Sequence, residues 1–98
     1  MIKITEEPID PMAFVTSINN KNNGALTIFL GTVRDFLGDT RLAYMEYDVY
    51  KEMAENKIKT IVEEAMTRWD TKDIAVAHRV GRLQLTDPSV IIAVGTPH

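Results

Sequence analysis

Arg34 closes an apolar run that begins at Gly24, and a guanidinium in that position can grip a phosphate or carboxylate through a pair of parallel hydrogen bonds. The plain alternative is a surface arginine paired with Asp35 or another carboxylate. His98 follows Thr96 and Pro97, and an imidazole there can donate a hydrogen bond to an anion or act as an acid or base. Its plain alternative is a solvated histidine. His78 and Arg79 are adjacent in an alternating segment and so point to opposite faces of a strand. That pattern makes His78 a core or interface histidine and Arg79 an ion-pair partner. Phe29, Tyr44, Tyr47 and Trp69 can stack on a flat heterocycle, although aromatic residues at strand and helix spacing are more often core.

Other chemistries are excluded by what the chain lacks. It has no cysteine, which removes disulfides, thiolate metal sites and a cysteine nucleophile. Its two histidines, His78 and His98, have no metal-ligand spacing, so no metal site and no resident cofactor are expected. Gly31 and Gly81 are isolated and form neither a GxGxxG nor a Walker phosphate loop. Eleven basic residues against fourteen acidic ones leave a net charge of -3, the wrong sign for a nucleic-acid surface. No stretch approaches the roughly 20 apolar residues of a membrane span, and the first residues lack the apolar core of a signal peptide. A cytoplasmic protein without membrane contact is the expectation.

The elements that must position these side chains follow from periodicity. A chain of 98 residues with 45% hydrophobic content fits one domain over residues 1–98. Residues 2–5 alternate as a short strand. Asp10 before Pro11 marks a helix start, with Met12, Phe14, Val15 and Ile18 facing a core. The Asn-rich run ending at Gly24 stops that helix. Residues 24–34 are apolar on both alternating faces, the pattern of a central strand covered on two sides. Gly38 and Asp39 suggest a turn into a second strand over residues 42–49, paired antiparallel with the first.

Residues 50–69 form the clearest helix, with Tyr50, Ala54, Ile58, Ile61, Ala65 and Trp69 on its apolar stripe beside Met53, Val62 and Met66. Residues 73–80 alternate again, with small Ala75 and Ala77 on the face where something packs closely. Residues 81–88 break the pattern, and residues 89–94 supply a last apolar strand. The order β-α-β-β-α-β-β predicts an α+β fold with a mixed or antiparallel sheet and two main helices. The last four residues, Gly95 to His98, follow a buried strand with nothing after them to cover it, so the sequence reads as interrupted there.

Several motifs in order carry a resemblance. Gly24-Ala25-Leu26-Thr27-Ile28-Phe29-Leu30-Gly31-Thr32-Val33-Arg34, Met45-Glu46-Tyr47, Tyr50-Lys51-Glu52-Met53-Ala54-Glu55, Arg68-Trp69, His78-Arg79-Val80-Gly81-Arg82-Leu83 and Thr96-Pro97-His98 are together similar to the large, catalytic subunit of the molybdopterin synthase family. The resemblance spans essentially the whole chain. It implies an α/β-hammerhead-like two-layer domain with an extra small sheet, and a homodimer within a heterotetramer. It also implies a sulfurtransferase that converts cyclic pyranopterin monophosphate to molybdopterin in molybdenum cofactor biosynthesis. The sulfur comes from a small ubiquitin-like carrier subunit whose Gly-Gly tail ends in a thiocarboxylate, which suits a chain without cysteine.

Carried over residue by residue, Thr32, Val33 and Arg34 resemble a substrate-binding segment, with Arg34 the anion contact and Phe29 lining the pocket. His98 matches the family histidine that reaches the pocket across the dimer interface. The arginine that follows this histidine in the family, and a later segment bearing its catalytic lysines, lie beyond residue 98. No lysine of this sequence sits in a matching context, so no catalytic residue is assigned. The resemblance therefore implies either an enzyme subunit whose sequence continues, or a non-catalytic domain that dimerises or docks the carrier.

Overall fold

The computed structural model describes residues 1–37, 40–41 and 43–98. Along the chain run β1 (Ile2–Thr5), α1 (Pro11–Ile18), β2 (Ala25–Thr32), β3 (Phe36–Leu37), β4 (Thr40–Arg41), β5 (Tyr44–Tyr47), α2 (Lys51–Arg68), β6 (Asp73–Arg79), β7 (Gly81–Gln84) and β8 (Pro88–Thr96). The main sheet has the order β1-β6-β8-β2. In it β1 and β6 are parallel, while the β6–β8 and β8–β2 pairs are antiparallel. Two short antiparallel ribbons, β3–β4 and β5–β7, stand beside it. The α+β class, the mixed sheet and the two main helices agree with the expectation.

Alternation along β6 distributes the two helices. Ala75 and Ala77 are buried with Ile9, Phe14 and Ile18 from the α1 side and with Ile91 and Ala93 of β8. Ile74 and Val76 point the other way and are buried with Val62, against which Ile2, Ile58, Ala65, Met66 and Val94 pack. The helices thus cover opposite faces of the sheet. Small side chains on one face of β6 let α1 approach closely. Asp10 starts that helix as expected, its Oδ1 accepting the Met12 N–H at 3.1 Å, and Pro11 occupies the first turn. Phe14 and Ile18, at 5% and 2% exposure, contribute about 1.5–3 kcal/mol each by burial. Met12, at 63%, faces away from the core.

The packed stripe of α2 is narrower than its periodicity predicts. Ile58, Val62, Ala65 and Met66 meet the sheet, whereas Tyr50, Met53, Ile61 and Trp69 are exposed. Tyr50 and Trp69 are the caps of α2 and lie outside its packed turns. Glu64 and Arg68, one helical turn apart on α2, form an ion pair at 3.6 Å, both well exposed.

Strand pairing departs from the sequence expectation in two places. Tyr44–Tyr47 pairs with Gly81–Gln84 and not with β2, and the β3–β4 hairpin intervenes. The expected turn at Gly38 and Asp39, and the strand start at Leu42, lie outside the described residues. β7 escaped notice because its alternation is short: exposed Arg82 is followed by fully buried Leu83. Gly81 adopts φ +86 between β6 and β7, a left-handed conformation that redirects the chain from the main sheet into the ribbon. The second departure concerns β2, which has a central strand's composition but lies at the sheet edge, with Ile28, Phe29 and Leu30 at 38%, 59% and 41% exposure. Among the described residues no helix is long and apolar enough to cross a membrane.

Candidate functional site

Arg34 and His98 are placed at opposite ends of one strand pair. β2 and β8 run antiparallel with Ala25 opposite Thr96 and Thr32 opposite Pro88. At about 3.4 Å per residue, the steps from Ala25 to Thr32 separate the two ends by roughly 24 Å. The exit of β2 carries Arg34, and the exit of β8 carries His98. Within one chain they cannot meet on one small ligand.

The Arg34 end is built on a braced turn. Val33 is 4% exposed, its N–H donates to the Asp87 carbonyl at 3.1 Å, and its carbonyl accepts the Thr86 N–H at 2.7 Å. Its side chain is core, so its part in the site is to fix the backbone from which exposed Arg34 projects. Asp87 Oδ2 accepts from Arg79 Nη1 at 3.2 Å and from the Gln84 N–H at 2.9 Å, and Arg79 Nε donates to the Glu6 carbonyl at 3.3 Å. Arg79 is therefore the ion-pair partner expected from its spacing. Thr86 holds φ 70 in this turn, an uncommon conformation for a β-branched residue. A bulge at Gly31/Thr32 re-aims the strand end, Thr32 is exposed, and the Phe29 ring leans over Gly31, where an added Cβ would lie 3.6 Å from Phe29 Cε1. Phe29 and Thr32 are thus both exposed along β2, and exposed Arg34 follows two residues beyond its end.

The His98 end is clamped by a polar network. The Gly24 N–H donates to the Thr96 carbonyl at 2.9 Å and to the Pro97 carbonyl at 3.1 Å. A side chain on Gly24 would run into the Pro97 carbonyl, so glycine is required where β2 begins against the β8 exit. Asn23 Nδ2 donates to Asp73 Oδ2 and to the Ile18 carbonyl, both at 2.8 Å, and Asn20 Nδ2 donates to Asp73 Oδ2 at 3.0 Å. Hydrogen bonds from Asn20 and then Asn23 hold the Asp73 carboxyl below its ordinary value, against a smaller opposing effect of burial. Buried Thr71 donates to the Gly95 carbonyl at 2.7 Å, and Thr96 Oγ1 donates to the His98 carbonyl at 3.1 Å. The imidazole of His98 is exposed.

His78 belongs to neither end. Its ring meets Tyr47 edge-on at 5.1 Å, and its buried Nδ1 has no hydrogen-bond partner among the described residues. A cavity of about 790 Å³ also lies elsewhere, between β1, the β6–β7 junction and β5. Glu6, Glu7, Glu46 and Asp48 outnumber Lys51 and Arg82 on its wall, so it repels a phosphate. Among the described residues no cluster of His, Asp and Glu could hold a metal. Sequence reasoning missed Asp87, Asn23, Gly24 and Asp73, which position the two ends. The Thr-Asp-Pro turn and the Asn run are their only signals.

Comparison with known proteins places this geometry in a family. The family model described as MoaE protein matches residues 4–98. The chain is 40% identical over 95 residues to a molybdopterin synthase catalytic subunit of Halalkalibacterium halodurans, covering 97% of this chain and 61% of that relative's length. A crystal structure of molybdopterin synthase from Staphylococcus aureus superposes with a TM-score of 0.88 at 35% identity, over 97% of this chain and 69% of that one. A complex of subunits 1 and 2 of molybdopterin-converting factor from Helicobacter pylori contains a chain with the same fold, TM-score 0.79 at 19% identity, over 99% of this chain and 66% of that one. On the family match and the identity across nearly its whole length, the chain belongs to the MoaE protein family.

Proposed function

We propose that this chain is the precursor-binding part of a molybdopterin synthase catalytic subunit, and that its site is completed between two copies. The observation that carries the reading is the separation of Arg34 and His98 by the length of β2, with each side chain exposed beyond a rigidly held backbone. A cationic group on a braced strand end suits the phosphate of cyclic pyranopterin monophosphate, which a guanidinium binds with two parallel hydrogen bonds. Phe29 offers the pterin ring an apolar surface beside it. His98 of the second copy supplies a further donor to the anionic species formed as a thiocarboxylate sulfur is transferred. The sulfur donor is a small carrier subunit, a role consistent with the two-subunit assembly named for the Helicobacter pylori relative. The absence of cysteine from the chain fits a sulfur delivered from outside.

Titration calorimetry with the cyclic pyranopterin monophosphate tests the reading. Loss of a charge-assisted phosphate contact in Arg34→Ala weakens binding by about 1.5–3 kcal/mol. Because Arg34 is exposed, the melting temperature stays close to that of the parent chain. Unchanged affinity removes Arg34 from the site.

A further inference from the structure

Asn23 and Gly24 form the one Asn-Gly pair in the sequence. Such a pair is prone to deamidation, because glycine has no Cβ to keep its amide nitrogen away from the carboxamide carbon before it. Asn19, Asn20, Asn22 and Asn56 are each followed by a residue whose side chain hinders that approach. The fold nevertheless needs both members of the pair. A Cβ on residue 24 would meet the Pro97 carbonyl, so that position requires glycine. Residue 23 must supply two donors, because Asn23 Nδ2 donates to the Ile18 carbonyl and to Asp73 Oδ2. The same contacts hold the reaction off. The Gly24 N–H is turned toward the Thr96 and Pro97 carbonyls, and the carboxamide is anchored at its nitrogen and packed over Gly95, where a Cβ would strike it. Attack on Asn23 Cγ therefore requires these bonds to open together.

We infer that Asn23 is a deamidation site gated by local opening of this clamp, and that its conversion to aspartate dismantles the clamp. In the open state the Gly24 nitrogen gives its proton to a solvent base and bonds to Asn23 Cγ. The Cγ–Nδ2 bond breaks, ammonia leaves, and a five-membered succinimide remains. Water then adds to either ring carbonyl, giving aspartate or its isoaspartyl isomer, whose backbone runs through the former side chain. Nothing is oxidised or reduced, and water is the only reagent consumed. The product sets a carboxylate where the donor stood, facing the Ile18 carbonyl and the Asp73 carboxylate. Acceptors then oppose acceptors, two of them charged, with no hydrogen between them. The turn from which Gly24 grips Thr96 and Pro97 is released, and the segment carrying His98 with it. The clamp thus carries a one-way change whose rate is set by how often this end of the sheet opens. The chemistry does not depend on the function proposed above; only its effect on precursor binding does.

Peptide-mapping mass spectrometry follows residue 23 in the purified chain held in mildly alkaline buffer, with hydrogen exchange at the Gly24 amide measured in parallel. Conversion in the folded chain is expected to run roughly tenfold or more slower than in the chain unfolded by urea. At urea concentrations too low to unfold the chain, Gly24 exchange and Asn23 conversion should rise by the same factor, because one opening exposes both. Asp73→Ala removes one anchor of the carboxamide and should convert roughly fivefold faster than the parent while keeping its far-ultraviolet circular dichroism spectrum. Asn23→Asp, which stands in for the product, should melt below Asn23→Ser at neutral pH, and the gap should narrow in acid as the facing carboxylates are neutralised. Equal conversion rates in the folded and unfolded chains overturn the inference. So does conversion that stays constant in low urea while Gly24 exchange accelerates, or a folded Asp73→Ala that converts at the parental rate. An Asn23→Asp chain as stable as the parent at neutral pH overturns the second half, the loss of the clamp. Should Asp73→Ala fail to fold, the low-urea series on the parent decides the gating by itself.

Discussion

The Arg79 guanidinium lies 3.2 Å from the Asp87 carboxylate, and this one pair ties the end of β6 to the turn that grips Val33. Arg79 is 15% exposed and Asp87 32%, so water screens the pair only in part. Asp87→Ala leaves Arg79 without its partner and frees the Gln84 N–H. The expected cost is about 1–3 kcal/mol in urea unfolding, together with weaker precursor binding as the base under Arg34 loosens. Full stability in this variant would show that the turn is held by its backbone alone.

Asp73 gives the His98 end a defined response to acid. Its carboxyl is held below the ordinary value of 3.8 by Asn20 and then Asn23, so the folded state favours the charged form. A carboxyl depressed on folding contributes stability that is complete above the unfolded value and disappears as pH falls through the lower folded one. The parent chain should therefore lose more stability than Asp73→Asn between neutral pH and pH well below 3.8. Identical acid profiles for the two proteins would contradict the clamp.

Gly24 has no room for a side chain. Gly24→Ala must push the Pro97 carbonyl away, at a cost on the order of 1–3 kcal/mol from overpacking. Precursor binding should fall as it does in His98→Ala, since both changes displace the same donor. A variant as stable as the parent would mean that the β8 exit gives way freely.

The parts legible in the sequence were those set by local rules. Asp10 and Pro11 announced α1 because capping involves only neighbouring residues, and Ala75 and Ala77 announced a close-packed face because small side chains have few other uses in a strand. Strand partners were not legible. Tyr44–Tyr47 pairs with Gly81–Gln84 across the whole of α2, and nothing local to either strand specifies the other. The central-strand pattern of residues 24–34 described the burial that β2 calls for, whereas one copy of the chain leaves it at an edge. For the site, Arg34, Phe29 and His98 were named from residue type and resemblance. Asp87 and Asn23 were not, because each acts on a partner far along the chain: the Asp87 carbonyl accepts the Val33 N–H, and Asn23 Nδ2 donates to the Asp73 carboxylate.

The same distance logic gives the sharpest test of a site shared between copies. Arg34→Ala and His98→Ala are co-expressed with different tags, the mixed dimer is isolated, and its binding of the cyclic pyranopterin monophosphate is measured by calorimetry. If each site takes Arg34 from one copy and His98 from the other, the mixed dimer holds one intact site, and parental affinity returns at half the parental stoichiometry. If both residues of a site come from one chain, every site in the mixture carries a lesion. No recovery of affinity in an isolated mixed dimer would contradict the account.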